Sequence, residues 1–224
     1  PIFYAVQKNI NIQTGQPTIL DFDMQRISQR INIVFNIRTE GNIKREDLAA
    51  PIIELSGACG RFNIADACLD TTHLYRMAHQ VQPDEFTQTG EGTYRCVVHF
   101  HTLGVIPSAA KGHLNGPGIL QVALQVSTPQ LDSSGAPVVD EEGNPVKNSR
   151  YIYGAINPYD ELTAAQLIEV RDGKIYLRYS KEDVNIEITT PLVIKADQIV
   201  PNDTGMGWQP HDPTNPDDDI IIEI

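Results

Sequence analysis

Two histidines, His99 and His101, are the residues of this chain whose type and spacing best suit a reaction centre. They lie in CVVHFHTLG, residues 96–104, where alternation of apolar and polar residues predicts a β-strand. Side chains two positions apart on a strand share one face, so both imidazoles could ligate one metal ion. This spacing raises the hypothesis of a metal-dependent β-barrel enzyme.

The further ligands that such an enzyme needs are missing from the pattern. In the metalloenzymes called cupins, a Gly stands at a fixed spacing before His-x-His and a Glu ligand follows shortly after it. Here Gly92 is out of register by one residue, and Thr102 to Ile106 include no acidic residue. Arg95 shares the predicted face of the two histidines. We therefore expect a polar strand face, with no metal, no cofactor and no catalytic residue.

No other catalytic motif is present. The chain contains no Gly-x-Ser-x-Gly elbow, no Walker glycine loop and no dinucleotide-binding fingerprint. A net charge of −12 over 224 residues disfavours a nucleic-acid partner, which is contacted through Lys and Arg patches. The longest apolar runs, such as 220–222, are far shorter than the roughly 20 residues that span a bilayer. We expect neither nucleic acid nor a membrane as a partner.

The three cysteines give no sign of a disulfide framework. Cys59, Cys68 and Cys96 are odd in number and lack a Cys-x-x-Cys spacing, which also disfavours a zinc site. They predict reduced thiols, which are typical of a protein made in a cytoplasm.

Period-two alternation extends over most of the chain. In 30–38, Ile31, Ile33, Phe35 and Ile37 fall on one face of the predicted strand. Similar stretches recur at Phe3–Ile12, Thr18–Met24, Tyr94–Thr102, Ile119–Val126, Tyr151–Ile156, Lys174–Tyr179 and Val184–Ile188. Short strands separated by Gly, Pro, Asn and Asp predict an all-β fold, either an antiparallel β-sandwich or a jelly-roll-like domain with long loops.

One short helix is predicted among the strands. It lies within Asp160–Val170, with Thr163 as its cap, and ends before Glu169. The pair Asp172-Gly173, directly after it, is a strong signal for a β-hairpin turn.

These signals organise the chain into three parts. Residues 1–160 form the main β-sandwich domain, 161–200 add the short helix and further strands to the same domain, and 201–224 form an extended linker and terminal strand arm. Within the first part, 132–146 contains Asp-x-x-Gly-x-Pro-Val twice and predicts an exposed loop or hairpin excursion. Its carboxylates suit calcium, but the EF-hand spacing is absent, so we expect a loop without metal.

The C-terminal stretch changes character after residue 200. Its first part is rich in Pro, Gly, Asp and Asn, which is typical of a linker, and IIIEI then follows at 220–224. A strand of such high propensity pairs readily, so we expect it to dock on another subunit or on a sheet edge of its own. The predicted partner-binding residues are Trp208, Ile220, Ile221, Ile222 and Ile224.

Three stretches, INIVFNIRTEG at 31–41, EGTYRCVVHFH at 91–101 and GPGILQVALQV at 116–126, resemble the β-sandwich attachment modules of upper-baseplate and head-fibre proteins of tailed bacteriophages. The resemblance implies a non-enzymatic structural or assembly protein of a virion, in the capsid, neck, baseplate or fibre, that is made in the host cytoplasm. It implies oligomerisation and docking to neighbouring virion proteins. It carries over no functional residue.

Two alternatives stay open beside the virion hypothesis. One is a carbohydrate-binding or adhesin module that recognises a host-surface glycan through stacked aromatics, with Tyr151, Tyr153, Tyr159 and Trp208 as candidates. The other is the metal-dependent enzyme centred on His99 and His101.

Overall fold

The computed structural model of the chain describes residues 2–41, 43–178, 183–196 and 198–213. Strands make up 52% of the molecule. In chain order they are β1 (Phe3–Tyr4), β2 (Gln25–Arg26), β3 (Gln29–Glu40), β4 (Ile52–Asn63), β5 (Cys68–Gln80), β6 (Phe86–Gly90), β7 (Thr93–Thr102), β8 (Leu120–Pro129), β9 (Lys147–Ile156), β10 (Ile168–Arg171), β11 (Lys174–Leu177), β12 (Asp183–Lys195), β13 (Gln198–Ile199) and β14 (Gln209–Pro210). One α-helix, α1 (Tyr159–Ala165), and a 3₁₀ turn at Arg45–Asp47 complete the regular structure of the described residues.

Two sheets supply one shared hydrophobic core. The seven-stranded sheet has the order β10-β11-β5-β4-β8-β9-β14, and the five-stranded sheet has the order β13-β12-β3-β7-β6. Neighbouring strands are antiparallel except for β12 and β3, which are parallel. The short strands β1 and β2 pair only with each other, at the base of a long arm. The predicted all-β, antiparallel-dominated sandwich is confirmed.

Alternating burial along β3 shows how the core forms. Ile31, Ile33, Phe35 and Ile37 are 0% exposed, while the residues between them lie on the outer face. Full burial of a side chain of this size contributes about 1.5–3 kcal/mol relative to leaving it in water. The predicted inward face of 30–38 is therefore confirmed.

The parallel pairing of β12 with β3 ties the later part of the chain to the first part. Val184 lies opposite Ile31 and Ile188 opposite Phe35, so β12 extends the same sheet and adds its own buried face to the core. Strand β12 thus shares the sheet and the core of the strands from the first part of the chain.

The predicted helix is present but begins earlier than expected. Helix α1 starts after Pro158, so Thr163 lies inside it instead of capping it, and Gln166 ends it in the left-handed conformation at φ 51°. The predicted hairpin follows. Asp172 and Gly173, at φ 49° and 71°, occupy the two turn positions of β10–β11, where positive φ at both is the signature of a type I′ turn.

No helix within the described ranges has the length and apolar character required to cross a lipid bilayer.

Two predicted strands are largely absent. Phe3–Ile12 contributes only the two residues of β1, and Thr18–Met24 contributes none. Within the described residues, only Phe3–Tyr4 of these two stretches has a neighbouring strand, which is β2. Residues 2–26 instead form a projecting arm, named here the 2–26 arm, with a turn near its tip where Gln16 N donates to Gln13 O.

The excursion at 132–146 is exposed and closed by its own hydrogen bonds. Asp132 accepts hydrogen bonds from the backbone of residues 134 and 136, and Asp140 repeats this pattern eight residues later with 142 and 144. Gln130, Val138 and Val146 then bond to one another in a closed backbone ring. The carboxylates of Asp132 and Asp140 thus stabilise the two turns.

The first part of the predicted linker, residues 201–213, is packed against the sandwich. Trp208 is 1% exposed and joins the main core, Asn202 N donates to Trp208 O, and Gln209–Pro210 pair with β9 as β14. Residues 201–213 therefore belong to the domain. The terminal strand predicted at 220–224 lies outside the described residues.

Candidate functional site

One side of the sandwich is left open between β5 and β7. Strand β5 meets β11 only where Leu69 lies opposite Ile175, so the rest of that edge has no neighbouring strand in the part of the chain that the structure describes. Strand β6 pairs with β7 as far as Cys96, and Val97 N donates to Glu85 O just before β6, so the edge of β7 is uncovered from residue 98. Both sheets therefore present an uncovered strand edge on the same side of the molecule, and an uncovered edge is a template for pairing with another strand.

A largely apolar groove lies at this open side. It has a volume of about 460 Å³ and is lined by Tyr75 and Met77 of β5, by 58–60 of β4, by 101–103 at the end of β7, and by Ile2 and Ser28 at the base of the 2–26 arm. We call it the edge groove. Tyr75 is 47% exposed, and its ring covers Gly60, where an added Cβ would come within 2.3 Å of the ring.

A cluster of three titratable side chains closes one end of the open side. Glu85, in the turn between β5 and β6, contacts His79 of β5 through Oε2 and Nε2 at 2.7 Å. Its other oxygen, Oε1, lies 3.6 Å from His99 Nε2 on β7. Gln82 N also donates to Glu85 Oε2 at 2.8 Å. The carboxylate thus joins the two sheets at their edges.

The hydrogen bonds of His99 orient its ring. Asn32 donates from Nδ2 to Asn185 Oδ1, which directs Asn32 Oδ1 toward His99 Nδ1 at 2.7 Å. His99 Nδ1 therefore carries the proton that is donated to Asn32, and Nε2 faces Glu85. Burial, with Arg30 nearby, lowers the pKa of His99 below its ordinary value, so the neutral ring is favoured.

The electrostatics of Glu85 favour its charged form. Burial alone would raise the pKa of this carboxyl, but hydrogen bonds from Gln82 N and His79 outweigh burial and hold the pKa below its ordinary range. A charged Glu85 that accepts a hydrogen bond from His79 and approaches His99 acts as a structural clasp between the two sheet edges.

His101 lies apart from this cluster. It is exposed at the rim of the edge groove and lies opposite Arg30 in the β3–β7 register. The buried Nε atom of Arg30 has no hydrogen-bond partner. The structure therefore separates the two histidines of the sequence hypothesis, since His99 contacts Glu85 and Asn32 whereas His101 and Arg30 form a basic rim.

Metal ligation finds no support in this geometry. Within the described ranges, no group of three or more His, Cys, Asp or Glu side chains is arranged to hold a metal ion. The expected polar outer face of β7 is present, with Arg95 and His101 exposed and Phe100 buried. The absence of a bound metal in solution stays a prediction.

The predicted aromatic candidates fall in different places. Tyr151 and Tyr153 of β9 stack with ring centroids 6.2 Å apart and planes at 26°, and Tyr151 is 52% exposed. Tyr153 also borders a cavity of about 240 Å³ whose walls combine polar and apolar side chains. Tyr159 is half-buried at the start of α1. Trp208 packs against Phe35 at a centroid distance of 5.2 Å and donates from Nε1 to Thr190 O.

The predicted partner-binding residues are therefore divided. Trp208 anchors its own segment in its own core, which leaves almost none of its surface for a partner. The four isoleucines at 220–224 lie outside the described residues, and their role stays a prediction. Cys59, Cys68 and Cys96 are free and buried, as expected for small apolar residues.

Sequence reasoning missed the residues that define the open side. Glu85 lies in QPDE, a turn motif, and nothing local indicates that it meets His79 and His99. Tyr75 and Met77 follow the alternation of β5, but which edge of that strand stays uncovered depends on the length of β11, which is only four residues.

Comparison of the chain with protein-family models, with curated proteins and with solved structures gave no match.

Proposed function

We propose that this chain is a non-enzymatic structural protein that assembles through its arms with copies of itself and with neighbouring proteins, as a component of a bacteriophage virion. The observation that carries the proposal is the 2–26 arm. Nine of the sixteen exposed large apolar side chains of the described residues lie within it. Contiguous exposed apolar surface marks an interaction site in a soluble protein.

The arm exposes apolar side chains that an isolated chain leaves in water. Ile12 and Ile19 are 75% and 83% exposed, and Phe22 and Met24 are more than half exposed. Each such side chain would contribute about 1.5–3 kcal/mol if a partner buried it fully. The exposed loop at 132–146 and the uncovered edges of β5 and β7 offer further contact surfaces. Assembly with other chains uses all of these features, whereas catalysis uses none of them.

The test has two parts. The purified chain should form a defined multimer in light scattering and sedimentation, and antibodies raised against it should label phage particles in immunogold electron microscopy of a lysate from its source. A chain that stays monomeric at high concentration would contradict self-assembly. Label found only outside particles would contradict a place in the virion.

A second candidate function, glycan binding, is favoured by the Tyr151–Tyr153 pair. The stacked rings form an exposed aromatic platform on β9, and the adjoining cavity is bordered by Glu54, Gln121 and His211. An apolar face beside a few convergent polar groups is the usual composition of a small-ligand site.

An array of mono- and oligosaccharides would test this candidate. Binding should be lost in Tyr151→Ala and retained in Tyr176→Ala, because Tyr176 lies on β11 away from the platform. Absence of binding by the unaltered chain, or binding that survives Tyr151→Ala, would contradict it.

A further inference from the structure

The segment Leu20–Met24, LDFDM, alternates strictly between apolar and acidic residues. Leu20, Phe22 and Met24 share one face of an extended chain, and Asp21 and Asp23 share the other. The three apolar side chains are 38%, 54% and 58% exposed. This is the pattern of a half-buried strand, yet no strand within the described ranges pairs with it.

The edge groove has the dimensions and chemistry of a site for one such strand. Strand β7 continues for five residues, 98–102, beyond the last backbone hydrogen bond to the β6 side, and β5 lies across the groove from it with an uncovered edge. Added strands in protein complexes pair with uncovered edges of this kind and place alternate side chains in pockets. Tyr75, Met77 and Leu103 provide the apolar surface for one face of the incoming strand.

The outer rim of the groove suits the acidic face. His101 and Arg30 lie opposite each other on β7 and β3 and point to the outer side of the sheet. Arg30 has a buried Nε without an acceptor, which a carboxylate would supply. This is a local basic site on a chain whose net charge is −12. An inserted strand with apolar residues inward would direct its acidic residues toward these two side chains.

The arm of the same chain is held away from this position. Tyr4 packs against Phe62 at a centroid distance of 4.8 Å, and Lys8 Nζ donates to Ala65 O at 2.6 Å. The pairing of β1 with β2 fixes both ends of the arm at its base. Residues 20–24 are all exposed and none of them lines the edge groove of its own chain, so the groove is open to the same segment of another molecule.

We propose that the edge groove of one copy receives Leu20–Met24 from the arm of a second copy as an added strand. Leu20, Phe22 and Met24 enter the groove, and Asp21 and Asp23 face the rim. This inference rests on the proposed self-assembly and names the surfaces that perform it. A five-residue strand is short, so the remaining apolar residues of the arm provide the rest of an interface, which in stable complexes covers about 800 Å² on each partner.

Association of purified full-length variants tests the arm. The variant with Leu20→Ser, Phe22→Ser and Met24→Ser should dissociate into monomers in sedimentation, with at least about a 100-fold rise in Kd. The matched control carries Ile64→Ser, Val170→Ser and Met206→Ser, which removes three exposed apolar side chains outside the arm and the 132–146 loop. The control should stay associated. Circular dichroism establishes that both variants are folded.

Cross-linking between two single variants locates the contact. One carries Asp21→Cys and the other His101→Cys, and a short bis-maleimide should join them only when they are mixed and associated. The pair Asp21→Cys with Val170→Cys is the control. Background reaction is low because the native cysteines are buried, and burial raises the pKa of the Cys59 thiol at the groove to about 12.

Each outcome separates the alternatives. A cross-link specific to Asp21 and His101, with dissociation of the arm variant alone, supports the inference. An unaltered chain that is monomeric overturns it together with the proposed self-assembly. A multimer that survives the arm variant, or that is lost instead on truncation after Pro213, overturns the inference and leaves self-assembly standing, with the segment 214–224 as the occupant in the second case.

Discussion

Glu85 Oε2 lies 2.7 Å from His79 Nε2, and this contact joins the C-terminal end of β5 to the connection between β5 and β6. The two residues are only six positions apart, but Glu85 also approaches His99 from the other sheet. A single carboxylate therefore holds the two edges of the open side at a fixed separation. The edge groove begins where this clasp ends, so the stability of the clasp and the shape of the groove are linked.

The clasp makes stability depend on pH. His99 has a pKa below its ordinary value of 6.5, so the folded chain binds fewer protons than the unfolded chain as the pH falls below about 6.5, and stability declines. Glu85 has a pKa below its ordinary value of 4.5, and its contribution is present above about pH 4.5 and lost as the pH falls through the lower folded value. We expect the free energy of unfolding to fall in two acid ranges in urea titrations.

Glu85→Gln isolates the lower range. The variant should lose about 1–2 kcal/mol of stability at neutral pH, because a charge-assisted hydrogen bond becomes a neutral one. Its further loss below about pH 4.5 should be smaller than that of the unaltered chain, but should not vanish, since other carboxyls such as Asp47 and Asp70 also have pKa values below their ordinary range. Glu91→Gln, on the exposed turn between β6 and β7, is the control and should match the unaltered chain. An identical acid profile in Glu85→Gln and the unaltered chain would show that the clasp does not contribute.

Local pattern was sufficient to predict several of the strands that pair within the chain, although the long strands β4 and β5 were not among them. Ile31, Ile33, Phe35 and Ile37 identify a buried face by alternation alone, and Asp172-Gly173 identifies its turn by the requirement for positive φ. The turn depends only on two adjacent residues, and the buried face depends only on the alternation of apolar residues along one strand. The amino-acid sequence shows each of them directly, without the fold.

The arm and the clasp could not be predicted in the same way. Leu20, Phe22 and Met24 alternate as regularly as β3 does, but a strand exists only where a second strand pairs with it, and sequence does not show which strands lack a neighbour. Glu85, His79 and His99 meet because the uncovered edges of the two sheets lie on the same side of the sandwich. That arrangement depends on the strand topology. The residues around Trp208 have the composition of a linker. Only the packing of its ring against Phe35 shows that this side chain belongs to the core.

His99 and His101 should hold no stoichiometric transition metal. His99 uses Nδ1 for Asn32 and faces Glu85 with Nε2, and His101 lies at the rim of the groove. Elemental analysis should therefore show only traces of zinc, iron and manganese, and chelator treatment should leave the melting temperature unchanged. One metal ion per chain that is lost in His99→Ala but kept in His113→Ala would contradict this prediction.

Residues 132–146 should be replaceable without loss of the fold. Their hydrogen bonds close the two turns and the ring formed by 130, 138 and 146, and they add nothing to the core. A short Gly-Ser link from Leu131 to Lys147 should change the melting temperature little while β8 and β9 stay paired. Leu124→Ala, in the buried part of β8, is the contrasting variant and should cost about 2–5 kcal/mol. A large loss of stability on the loop replacement would show that the excursion supports the sandwich.

Trp208 should be essential to the fold of its own chain, independently of any partner. Its ring packs on Phe35 and its Nε1 donates to Thr190 O, so Trp208→Ala leaves a cavity and an unsatisfied carbonyl and should lower the free energy of unfolding by about 3–5 kcal/mol in denaturant titrations. Met206→Ala, two residues away and 59% exposed, should change it by no more than about 0.5 kcal/mol. Truncation after Pro213 keeps Trp208 and should preserve the melting temperature. Equal stability of Trp208→Ala and Met206→Ala would show that the segment 201–213 is not anchored by this side chain.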